Sequence, residues 1–392
     1  MTRSTAPATA RPPLWRDSRV IAWALQIAVL VVVVAVAWWL VGTYQDNVRK
    51  QGRDKSLSEW FDFLGQPAGY PIAGSSFRPT QRTQDAIAEG LLNTLRLAVT
   101  GIVLATILGT LIGIARLSEN FIVRSAARVY VEVIRNVPLL ALVILSFLAV
   151  VLNAFPPPQE SWDLAPIAVI NVRGASVFWF EGPNWKALLV LVLAALTLWG
   201  VARWRRSVND RTGRPARSGL WAIPAAAVVF AVCWLVLGLG VTAPALDGRR
   251  VTGGVTMTAA YFGALLALVI YTSSHIAEIV RGSIQAVAKG QGEAADALAL
   301  SPFQRMWHVV LPQAMRIAVP ATGNQYLNLM KNSSLAAVIS FPELTKVTQL
   351  AVATAAPALP AYTLLLLIYL GLSLVISLIV NLFNRRLAIA ER

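Results

Sequence analysis

Few residues in this chain of 392 could do covalent chemistry. There is one cysteine, Cys233, set in an apolar run, and there are two histidines, His275 and His308. That excludes an intrachain disulfide and leaves too few thiols and imidazoles for a Cys/His metal site. No Ser/His/Asp or Cys/His grouping marks a nucleophilic centre. No glycine-rich loop ending in Lys-Ser or Lys-Thr is present, so ATP has no phosphate cradle of the P-loop kind. The expectation is a protein that is not an enzyme and that uses no metal and no cofactor. Its informative residues are polar ones set in apolar surroundings.

The first such group runs from Gly292 to Ala314, GEAADALALSPFQRMWHVVLPQA. It is too polar to cross a bilayer and too regular for an idle loop. Gly290 and Gly292 open it. Glu293, Ala294, Ala295, Ala297, Leu298 and Leu300 favour helix, and Glu293 near the start suits the helix dipole. Ser301 then caps a second helix, Pro302 fits its first position, and Gln304 completes a capping box. Phe303, Met306, Trp307 and Val310 give this second helix an apolar face, and Pro312 ends it. Two short helices held at a fixed angle, the first lined with small alanines, form a surface on which another chain can dock and transmit force.

The second group is a polar stripe. Asn324, Asn328 and Lys331 are spaced i, i+4, i+7 and share one helix face. Gln325 and Asn332 lie beside them, followed by Ser333 and Ser334. Polar groups at membrane depth persist where they meet protein or a water-filled cavity. One reading is a face lining a translocation path, with Lys331 offered to an anionic group. The other is a polar seam between helices, with Lys331 snorkelling to the surface. A third pattern is apolar: Gly101, Ala105, Gly109 and Gly113 recur every four residues, a spacing that lets helix backbones approach closely. Chance in an Ala/Gly-rich segment is the alternative.

The elements that must position these groups are membrane helices. The chain is 56% hydrophobic and only 14% charged, against roughly 25% charged in soluble domains. Eight apolar stretches approach the ~20 residues that a span needs. They are Ile21–Val41, Leu97–Ile114, Pro138–Phe155, Leu188–Val201, Leu220–Val241, Met257–Ser274, Ile317–Ile339 and Tyr362–Phe383. The first is too long for a signal peptide and ends in Trp38 and Trp39, so it reads as a retained anchor with an aromatic belt. With the N-terminus inside, 21 Lys and Arg fall in inner segments and about 12 in outer ones, six of them in the one long loop after the first span. The inner set includes Arg3, Arg11, Arg16 and Arg19 before the first span. It also includes Arg203, Arg205, Arg206, Arg211, Arg214 and Arg217 between the fourth and fifth. Retention of basic residues in short inner loops favours this orientation, with both termini cytoplasmic. It also accounts for the net charge of +15 without nucleic acid. The arginine-rich turn after the fourth span reads as a topology signal, with contact to anionic lipid as the alternative. In the outer loop, Trp60, Phe61, Phe63 and Leu64 suggest an interfacial helix or a loop packed on the spans. The spans carry almost no acidic residues. Glu278 ends the sixth and none lies at mid-membrane, which argues against a self-powered ion- or proton-coupled carrier.

Glu293-Ala294-Ala295 followed at a fixed gap by Val309 and Leu311-Pro312 resembles the EAA loop of ATP-binding-cassette importer permeases. The resemblance implies a glycine where this chain has Ala299. GLLNTLRLAV (90–99), YVEVIRNVPLL (130–140) and KNSSLAAVIS (331–340) are similar to polar amino-acid permeases. The length, the N-terminal anchor and FDFLGQPAGYPI resemble the general L-amino-acid subfamily, which takes in glutamate/glutamine/aspartate/asparagine importers. The implied fold is an all-α polytopic membrane protein. It would have a type I importer (MetI-like) core of five helices, an N-terminal anchor and an inserted helix pair, eight spans in all. The implied division is residues 1–42 for the cytoplasmic N-terminus and anchor, 43–89 for a periplasmic loop and 90–155 for the first part of the core. Residues 156–255 would be the insertion, and 256–392 the second part of the core with its loop at 290–313.

The resemblance also implies function: import of L-amino acids across the bacterial inner membrane. The implied partners are two ATPase subunits, a second homologous permease in a heterodimer, and a periplasmic amino-acid-binding protein. Gly292, Glu293, Ala294, Ala295, Ala299, Ser301, Val309, Leu311 and Pro312 would form the docking loop. An ion channel or secondary transporter is the rival class, and a membrane scaffold is a third.

Overall fold

The computed structural model describes residues 18–50, 59–181, 184–212, 218–248 and 250–387. Arg3, Arg11, Arg16, Arg214 and Arg217 lie outside them. The chain opens with α1 (Ser18–Lys50), which is apolar all round, and every side chain from 20 to 40 is exposed. Such a helix is a membrane span or a partner's neighbour, not a core element. α2 (Thr83–Ala115) follows, then α3 (Phe121–Asn136), capped by the Asn120 side chain. Pro138 forces Val137 into extended backbone, so the chain turns by 104° into α4 (Leu139–Leu145), which runs through a π-turn to the single turn of α5 (Leu152–Ala154).

The sequence expectation of an all-α chain fails in the next segment. Strands β1 (Trp162–Leu164), β2 (Ala168–Asn171), β3 (Gly174–Val177) and β4 (Trp179–Glu181) precede α6 (Asn184–Thr212) and α7 (Ser218–Val236). Strands β5 (Gly240–Thr242), β6 (Ala245–Asp247), β7 (Arg250–Thr252) and β8 (Val255–Thr258) then lead to α8 (Ala259–Gln285). These strands are three or four residues long, too short for alternation to declare itself, and their Val and Ile content reads as span ends. Thus Val241 belongs to a strand rather than the fifth span, and Met257 to a strand rather than the sixth. The strands form an antiparallel sheet in the order β1-β2-β3-β8 and two ribbons, β4-β5 and β6-β7. Because β3 pairs with β8 and β4 with β5, the α6–α7 hairpin leaves and re-enters at one place. α6 and α7 pack chiefly on each other.

After α8 come α9 (Lys289–Ala297), α10 (Pro302–Gln304), α11 (Leu311–Asn332), α12 (Leu344–Thr354) and α13 (Ala358–Leu387). Among the described residues, four helical segments are long and apolar enough to cross a membrane: Val20–Asn47, Thr83–Ala115, Ala259–Gln285 and Ala358–Leu382. Counting each of two bent pairs as one span raises the number to six. The apolar part of α7, Leu220–Val236, is shorter.

The core is built on the four-residue repeat. A Cβ on Gly109 would lie 2.7 Å from the Ile276 Cβ and 2.8 Å from the Ser273 carbonyl; on Gly113, 2.8 Å from the Ala277 carbonyl. Ala105 is fully buried, and Gly101 faces Leu329 and Leu265. The small residues therefore let α2 lie directly on α8, in parallel register. It follows that the strands preceding α8 and the α9 loop following it lie at opposite ends of the bundle. In the long loop after α1, residues 62–65 make one 3-10 turn with Phe63 buried. Ala68, Tyr70 and Ile72 pack on Ala86, Ile87, Leu344, Val347 and Ala351. This segment is a loop packed on the spans, not an interfacial helix, because its apolar side chains find a protein groove.

Candidate coupling site and translocation path

α9 begins at Lys289, earlier than the glycines suggested, so Glu293 sits in mid-helix and the first turn has no acidic residue. Glu293 is therefore too far along the helix to complement its N-terminal dipole; its side chain is exposed, as are Ala294 and Ala297, while Gly292 is half-buried and Ala295 is buried. The end of α9 is a Schellman motif. Leu300 N–H donates to the Ala295 carbonyl at 3.2 Å, and Ala299 N–H to the Asp296 carbonyl at 2.9 Å. Ala299 occupies the left-handed position with φ 52°, where glycine is preferred because it has no Cβ to clash. The glycine implied by the family resemblance thus has a backbone reason.

The second half of the loop opens as its sequence demands. The Ser301 hydroxyl accepts from Gln304 N–H at 3.3 Å and the Gln304 side chain accepts from Ser301 N–H at 2.9 Å, with Pro302 in the first turn. Pro312 does not end this helix. α10 continues through a π-turn (Arg305–Val310) into α11, with Pro312 in its first turn. Proline removes a helical donor and crowds the preceding turn, and the widened turn ahead of it takes up the misfit. Val309 and Leu311 are half-buried along this junction, and Pro312 is exposed. Two cross-links hold α9 at a fixed angle: Arg305 Nη1 donates to both Asp296 carboxylate oxygens at 3.1 and 3.0 Å, and Gln313 donates to Gln291 at 3.1 Å. The result is a stiff knuckle continuous with a membrane helix. Its outer surface is apolar: Leu298, Phe303 and Trp307 are 75, 74 and 56% exposed, and the two rings stack at 6.2 Å. Exposed apolar side chains of this size make the knuckle a candidate interface.

α11 carries the polar stripe upward. Asn324, Asn328 and Lys331 are exposed on one face, while Thr322, Gly323, Leu329 and Met330 are buried on the other. A Cβ on Gly323 would lie 2.4 Å from Val380, so α13 covers that side. Asn332 is half-buried. Ser333 is fully buried and donates to the Met330 carbonyl at 2.7 Å; Ser334 donates to the Lys331 carbonyl at 2.8 Å. Both hydroxyls close the end of α11, and the open stripe stops at Lys331.

Two carboxylates have partners that spacing along the sequence does not reveal. Beyond a 3-10 segment (Ser333–Ile339), Glu343 is completely buried. It caps α12 by accepting from Thr345 N–H at 2.8 Å and Lys346 N–H at 2.9 Å, and it accepts from the Tyr369 hydroxyl at 2.9 Å. The Asn93 amide donates to the Pro342 carbonyl at 3.0 Å and Leu344 N–H donates to Thr94 at 3.0 Å, fixing this break to α2. The signal was an acidic residue just ahead of a new apolar helix. At the other end, Glu278 pairs with Arg116 and Arg281 and lies 3.8 Å from Arg135, which ties α2, α3 and α8 together. Among the described residues no group of three His, Cys, Asp or Glu could hold a metal.

Residues 201–389 match the family described as binding-protein-dependent transport system inner membrane component. The chain is 37% identical over 376 residues, 94% of its length and 92% of the relative's, to the general L-amino acid transport system permease protein AapQ of Rhizobium johnstonii. It is 34% identical to the putative amino-acid ABC transporter permease protein YhdX of Escherichia coli, covering 95% of each chain. To the glutamate/glutamine/aspartate/asparagine transport system permease protein BztB of Rhodobacter capsulatus it is 35% identical, covering 96% of each. The chain belongs to the binding-protein-dependent permease family. It is a multi-pass membrane component of an ATP-binding-cassette transporter and not an enzyme. Permeases of this family work with ATPase subunits and a binding protein, so an energy source on another chain is intrinsic to the assembly.

Proposed function

We propose that this permease imports L-amino acids, of the general or glutamate/glutamine type, with α9 and the knuckle behind it docked on an ATPase subunit. Three relatives spanning nearly its whole length carry amino-acid transport in their names. The observation that carries the coupling role is mechanical. An exposed apolar surface sits on a cross-linked pair of helical turns that run without a break into α11. Motion of the docked surface is thereby passed to the helix that bears Asn324, Asn328 and Lys331. The stripe faces away from the chain's own core, where a second homologous permease in a heterodimer completes the path.

In this reading eight spans cross the inner membrane: α1, α2, α4 with its continuation, α6, α7, α8, α11 and α13. Both termini and the knuckle are cytoplasmic, and the strands are periplasmic, beside the binding protein. The chain divides as residues 1–42, 43–89, 90–155, 156–255 and 256–392.

The test is reconstitution with the partner ATPase, the second permease and the binding protein. Uptake should require ATP and loaded binding protein. Glu293→Lys, which puts the wrong charge on the docking surface, should leave the complex assembled but abolish stimulation of ATP hydrolysis by loaded binding protein. Gradient-driven uptake by this chain alone, without ATP, would sink the reading.

A further inference from the structure

The α6–α7 hairpin is absorbed by neither coupling nor the path. α6 has 29 residues, about 43 Å of helix, against a hydrocarbon core of about 30 Å. Its surplus turns therefore reach headgroup depth. They carry Arg203, Arg205, Arg206 and Arg211; Arg214 and Arg217 follow in the sequence outside the described residues, and Asp210 is the one acidic residue from 203 to 217. The ion pairs given for the described residues use Glu89, Glu278 and Asp296 as acids and lie elsewhere in the fold. Two of the arginines lie over indole rings: Arg203 is 5.8 Å from the Trp199 centroid, and Arg205 of α6 is 5.3 Å from that of Trp221 on α7. The Arg205 Nε is buried without a hydrogen-bond partner. A guanidinium held over an indole ring still has its terminal Nη donors for a planar or tetrahedral oxyanion. Trp199, Trp204 and Trp221 are all exposed, as tryptophans at a headgroup boundary are. Further along the same two helices Leu191, Leu198, Ile223 and Val228 are also exposed.

We propose that the last turns of α6, with Trp221 of α7, form a binding site for anionic phospholipid, with Arg203, Arg205 and Arg211 holding the headgroup phosphate while the apolar flank takes the acyl chains. A protein partner would use the charge but not the exposed apolar residues further along the same helices; lipid uses both. The site rests on the eight-span reading above, which puts these turns on the cytoplasmic side.

The experiment uses the full transporter, purified with its partners into nanodiscs of phosphatidylcholine with and without phosphatidylglycerol. Native mass spectrometry should find phosphatidylglycerol retained in preference. The combined variant Arg203→Gln, Arg205→Gln, Arg211→Gln should lower that preference roughly tenfold or more. The matching Lys variant, which keeps charge but not the stacked fork, should recover only part. Phosphatidylglycerol brominated in its acyl chains should quench wild-type tryptophan fluorescence more than brominated phosphatidylcholine does, a readout that needs no variant. Equal retention by wild type and the Gln variant overturns the proposal, as does loss of ATPase subunits from the Gln variant in both lipid mixtures. In a Cys233→Ser background, Gly213→Cys reports orientation. Labelling from the outer face refutes the eight-span reading; inner labelling without lipid preference refutes the lipid site alone.

Discussion

Ala299 shows how one position can hold a strained answer to a backbone demand. The Schellman end of α9 requires a left-handed residue, and an L-residue with a Cβ costs about 1–2 kcal/mol there. Ala299→Gly removes that cost but loosens the unfolded chain by about 0.4–1 kcal/mol. The net expected effect is a gain of up to about 1 kcal/mol, read as a small rise in the melting temperature of detergent-solubilised permease; a drop would show that the strain is absent. Lys331 belongs to the same scale. It is the one cation of an otherwise neutral amide stripe, and it faces outward. Lys331→Met should raise the uptake KM at least about tenfold, the worth of one charge-assisted hydrogen bond, with assembly and basal ATP hydrolysis intact. Unchanged uptake kinetics would return Lys331 to a snorkelling role.

At the scale of elements, the α2–α8 seam has no slack. A Cβ at Gly109 would sit 2.7 Å from the Ile276 Cβ and 2.8 Å from a carbonyl, so backbone has to move. Gly109→Ala should cost about 1–3 kcal/mol, visible as lost thermal stability. Gly371→Ala on α13, where nothing lies within 4 Å, should change stability by no more than about 1 kcal/mol. Equal effects at the two sites would mean that the seam is not close-packed. The four-residue spacing was legible in the sequence because small residues in register have few other uses. The partner helix was not, because spacing on one helix says nothing about which neighbour it meets.

At the scale of the whole chain, α6 and α7 pack chiefly on each other, between strands that pair across them. Glu181 and Gly240 face each other across β4 and β5, so a two-residue Asn-Gly turn can replace the hairpin between them. Deletion of residues 182–239 with that turn should give a permease that inserts, assembles and transports, and that has lost its preference for anionic lipid. Failure to insert would show that the hairpin stabilises the core. The strands that make this possible were invisible beforehand, since three- and four-residue apolar segments next to membrane spans have no periodicity of their own.

What the sequence determined alone was everything local or additive. The length and apolarity of the long helices and the reciprocal capping box of Ser301 and Gln304 follow from residues within a few positions of one another. Tertiary structure decided what depends on distant pairs. It brought β3 to β8 on either side of the α6–α7 hairpin and buried Glu343 against Tyr369. It also made Pro312 part of a continuous helix rather than its end. The physical reason is that caps and hydropathy are properties of a segment, whereas strand pairing, burial of a charge and the fate of a helix end depend on which partner the rest of the chain supplies.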